Sequence, residues 1–161
     1  TVMALADKNL TEKAYTLACF ASAGLFTIPA LKGQQRWQVK QERWFDVNHL
    51  VKESEKRLLQ QHAVKLAESW QQQPAMLMAL RNQDMMPNAL PKHKIAGKLT
   101  VCLGLSLILA RQCWFQEANA CGSTDRYINQ ACDLLHIHPS QLQQISDDSM
   151  SYCHIACTLS H

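Results

Sequence analysis

The sequence predicts an all-α fold, a compact multi-helix bundle, on three observations. Ala, Leu, Gln and Lys dominate, while Gly and Pro number only five each, so helix formers outweigh helix breakers. Apolar residues recur at intervals of three and four, and no stretch alternates as a half-buried strand would. The prolines fall between the periodic stretches and not inside them. At 161 residues the chain suits one domain spanning 1–161.

Taken in order, Thr11 is expected to N-cap a first helix that runs to about Ile28 and stops before Pro29. This helix holds "AYTLACFASAGLF", rich in alanine and poor in groups that bind metal or move protons. Residues 32–43 read as a polar connector, with Trp37 inside it and Trp44 just beyond. A longer helix follows from about Val47 to Trp70, in which Leu59, Ala63, Leu66 and Trp70 share one face. Pro74 suits the first turn of a short helix, "PAMLMALRNQ". Pro87 and Pro91 bracket a loop before a helix of about 94–116. There Gly97 and Gly104, seven apart, would let a neighbouring helix approach closely. "ACGSTD" reads as a loop, followed by helices of about 125–135 and from Pro139 to roughly Cys157.

Composition excludes some classes of function. The apolar run "LTVCLGLSLILA" has 12 residues between Lys98 and Arg111, whereas a bilayer crossing takes about 20. It is therefore expected to be a central core helix, with no membrane role. Seven cysteines, an odd number at irregular spacings, point to reduced thiols in a cytoplasmic protein and not to a disulfide framework. Eight Lys/Arg against four Asp/Glu in 32–65, and one Arg against five acids in 117–150, read as two solvated faces. "RWQVKQERW" interleaves bases and aromatics, but a net charge of +3 gives it no wider basic surround, so nucleic acid is not the expected partner.

Candidate chemistry is sparse. His62 lies beside an apolar stripe with no ligand or proton-transfer partner at helical reach, so a hydrogen-bonded core-edge histidine is favoured. In "CHIAC", Cys153 and Cys157 stand one turn apart with His154 between them. They are an alternative zinc set only if ligands such as His136 or His138 join them, and buried thiols are the favoured reading. No Gly-rich phosphate loop, nucleophile elbow or paired His-Glu helix motif occurs.

Read together, several stretches resemble the HDOD family, the HD-related output domains of bacterial signalling proteins. In "LVKESEKRLLQQHAVKLAESWQQQP" the marks are Leu50, Glu53, His62, Ala63, Trp70 and Pro74. "MLMALRNQ" is similar to the family's Ala-Ile-Arg segment at Ala79, Leu80 and Arg81. "LTVCLGLSLILARQ" resembles its long Leu-Ala-rich helix, and "ACDLLHIHPSQL" the start of its closing helix. The family's first helices have no match, so the chain is expected to lack them and to show apolar surface in their place.

The resemblance implies where a parent HD phosphohydrolase would keep its metal ligands. With Gly24 matched, the His-Asp pair falls on Ala21 and Ser22, the later histidine pair near Gln83 and Asp84, and the last aspartate near Leu107. His62 is a further position that might hold a ligand, and of all of them it alone keeps the expected type. Alanine and leucine offer no lone pair, a serine hydroxyl is a poor ligand, and one histidine cannot hold the ion. The expected function is thus non-catalytic, with no metal or cofactor. It is the binding of a protein partner or adjacent signalling domain, with a homodimer allowed. The competing expectation is a metal-dependent phosphohydrolase with an atypical set, His62, Asp84, His93 and Asp7.

Overall fold

The computed structural model describes residues 2–23, 59–83, 85–91, 94–115 and 122–158, and the side chains of 59, 111–115, 122–124 and 152–158 are left aside. Among the described residues there are seven α-helices and no strand, so the architecture is an all-α bundle. In chain order they are α1 (Val2–Ala6), α2 (Thr11–Ala23), α3 (Leu59–Ser69), α4 (Pro74–Arg81), α5 (Ile95–Phe115), α6 (Gly122–Leu135) and α7 (Pro139–Thr158). Short 3-10 turns, Lys8–Leu10 and Pro87–Ala89, precede α2 and α5. The connector with Trp37 and Trp44, the continuations expected to Ile28 and from Val47, and the nucleic-acid candidate "RWQVKQERW" lie outside the described residues.

The apolar run becomes the bundle's axis. Every residue from Leu99 to Leu105 is buried, two turns of helix hidden on all sides, and α5 packs against α1, α2, α4, α6 and α7. Thr100, fully buried there, satisfies its hydroxyl by donating to the Ala96 carbonyl at 2.8 Å. The two glycines of this helix do different work. Gly104 admits the Tyr127 ring of α6, whereas Gly97 admits the Pro91 carbonyl and the Leu90 Cβ and not a helix.

Alanine governs the placement of α2. Leu17 and Phe20 enter the core, and Ala14, Ala18 and Ala21 pack partly buried beside them. Small side chains on this face bring α2 close to α3, α4 and α5. Helices α3 and α4 pack as neighbours through Ala63, Val64, Ala67, Met76, Ala79 and Leu80. Arg81 of α4 reaches Glu68 of α3 at 2.6 Å, but the two side chains are 58% and 44% exposed. Such a pair contributes about 0–1 kcal/mol, so apolar burial holds the two helices together.

Both α3 and α6 end on a residue in the left-handed region. Gln71 has φ 53°, with its N–H on the Glu68 carbonyl at 2.9 Å and the Gln72 N–H on Ala67 at 3.0 Å. His136 has φ 56°, and the Ile137 N–H reaches the Cys132 carbonyl at 3.0 Å. These are Schellman closures, where glycine is the relaxed occupant. Gln71→Gly and His136→Gly are each expected to stabilise by about 0.5–1 kcal/mol, raising the melting temperature by about 1–4 °C. Thermal unfolding followed by circular dichroism checks this, and an unchanged or lower midpoint refutes it.

Several local expectations need correcting. Thr11 is no N-cap: it is already helical at φ −58°, ψ −46°, because the 3-10 turn runs straight into α2. The cap in this region is Asp7, whose carboxylate accepts from the Asn9 N–H. Helix α1 escaped periodicity because five residues are too few to show it. Helix α6 begins at Gly122, so the tail of "ACGSTD" is helix and not loop. Trp70, expected on the buried stripe of α3, is 68% exposed and meets Phe20 edge-to-face at 5.8 Å between ring centroids. The helix has ended at Ser69, and the closing turn carries the indole out of register.

Candidate functional site

The positions matched to hydrolase ligands sit on helices that touch one another, α2 with α3, α4 and α5, yet their side chains take different directions. Ala21 is half-buried on α2, and Ser22 next to it is exposed. His62 on α3 is 8% exposed, and Gln83, in the turn after α4, is 9% exposed. Leu107 on α5 faces outward at 41% exposure. Two of these side chains therefore turn inward and two turn to solvent. Asp84 and His93 lie outside the described residues. Among the described residues, no three His, Cys, Asp or Glu side chains come together as a metal site would require.

Of the remaining candidates, Asp7, His136 and His138 are employed locally. Asp7 uses one carboxylate oxygen on the Asn9 N–H at 3.2 Å and the other on Lys98 Nζ, also at 3.2 Å. His136 closes α6. His138 opens α7: its Nδ1 accepts from the Ser140 N–H at 3.3 Å and meets the Ser140 hydroxyl at 2.7 Å. The Gln141 side chain returns the favour by accepting from the His138 N–H at 3.1 Å. The imidazole thus caps the second N–H of the helix, while Gln141 supplies the return bond of a capping box. Cys153, His154 and Cys157 fall on α7, with side chains outside those described.

The thiols that are described are free: Cys19 exposed, Cys102 and Cys132 buried. Burial pushes the Cys102 thiol up to about 11, against the opposing pull of hydrogen bonds from Ser106 and the Met3 backbone. Burial also raises Cys132, and the neighbouring Asp133 charge adds to it. Neutral buried thiols are poor nucleophiles and poor metal ligands; Cys102 and Cys132 fit the expectation of thiols in a core, and exposed Cys19 does not.

Among the described residues, several large apolar side chains are exposed. Tyr15 is 70% exposed on the outer face of α2, with Trp70, Met78, Ile95 and Leu107 exposed elsewhere. The sequence pattern sets Trp70 on the apolar face of its helix and assigns Tyr15 no role. The signal for Tyr15 was present, since Glu12, Tyr15, Cys19 and Ser22 step by three, four and three along the side opposite Leu17 and Phe20. No described helix is long and apolar enough to cross a membrane. No family model matches the chain, and no curated protein or solved structure is detectably similar to it.

Proposed function

We propose that this chain is a non-catalytic, HDOD-like module of bacterial cytoplasmic signal transduction, acting by binding a protein partner or an adjacent signalling domain. The observation that carries the reading is Leu107. It stands where the resemblance puts the last metal-binding aspartate of an HD hydrolase, and it points outward at 41% exposure. An alkyl group there cannot donate to a cation, and an exposed leucine is suited to apolar contact with another surface. Ala21 and Ser22 support the same reading, one without a donor atom and the other with a weak one turned to solvent. The alanines of α2 serve close packing, and His62 serves as a buried structural residue.

The test is elemental analysis of the full chain purified after growth with manganese, iron and nickel, together with turnover of a generic phosphodiester. The expected result is metal well below one equivalent and no turnover above the buffer rate. Close to one equivalent of a divalent metal, lost together with turnover in His62→Ala, would overturn the reading in favour of the phosphohydrolase.

A further inference from the structure

We draw no further inference here: the strongest candidate, the His138–Ser140 side-chain pair at the start of α7, is spent on capping that helix, and nothing among the described residues points to a ligand there.

Discussion

Leu105→Ala is expected to lower the unfolding free energy by about 3–5 kcal/mol, the range for emptying a leucine site that cannot collapse. Leu105 is completely buried, in the two turns of α5 that are covered on every side. Against a total stability of about 5–15 kcal/mol for a chain of this size, the loss is large. It corresponds to a fall in melting temperature of about 6–20 °C. Two residues on, Leu107→Ala is expected to change stability by less than about 1 kcal/mol, because its side chain is 41% exposed. Urea titration of both variants beside the parent chain makes the comparison. The contrast matters for function as well as packing. If Leu107→Ala were as damaging as Leu105→Ala, Leu107 would be covered in solution and would not be offered to a partner.

The architecture was largely legible because each signal that sets it is local. Pro74 and Pro139 open α4 and α7 where a missing N–H does no harm. The run from Leu99 to Leu105 is apolar on all sides, which only a central position can satisfy. Misreadings arose where tertiary geometry or very short range decided the outcome. Periodicity continued the α3 stripe to Trp70, but Gln71 turns left-handed, and that reversal leaves no mark on the hydrophobic pattern. Gly97 and Gly104 both signalled close approach, yet nothing in the sequence distinguishes a loop backbone from a tyrosine ring as the visitor. The Asp7–Lys98 pair joins residues 91 apart, a separation at which no spacing rule operates. At the positions the resemblance assigns to metal ligands, the sequence gives residue type alone: Ala21, Ser22 and Leu107 lack strong donors in any conformation. Which of them would face solvent depended on packing.

The tightest contact on α5 makes the second large prediction. A Cβ built on Gly104 would press on the Tyr127 hydroxyl and lie 2.7 Å from its Cζ and 3.2 Å from its Cε1. Tyr127 is only 9% exposed, so the ring has little room to swing aside. Overpacking of this kind costs about 1–3 kcal/mol or more, and the higher helix propensity of alanine returns up to about 1 kcal/mol. Gly104→Ala is therefore expected to destabilise by about 2 kcal/mol. Tyr127→Phe deletes the nearest atom, so the double variant should be more stable than the sum of the single changes by about 1 kcal/mol. Gly97→Ala is the control. Its added Cβ would meet the Pro91 carbonyl oxygen at 2.5 Å, a backbone atom that no side-chain substitution can trim. It should be destabilising too, but without rescue by Tyr127→Phe. A double-variant cycle read by urea denaturation separates the cases, and zero coupling between positions 104 and 127 would mean that α6 does not seat its tyrosine on the glycine of the central helix.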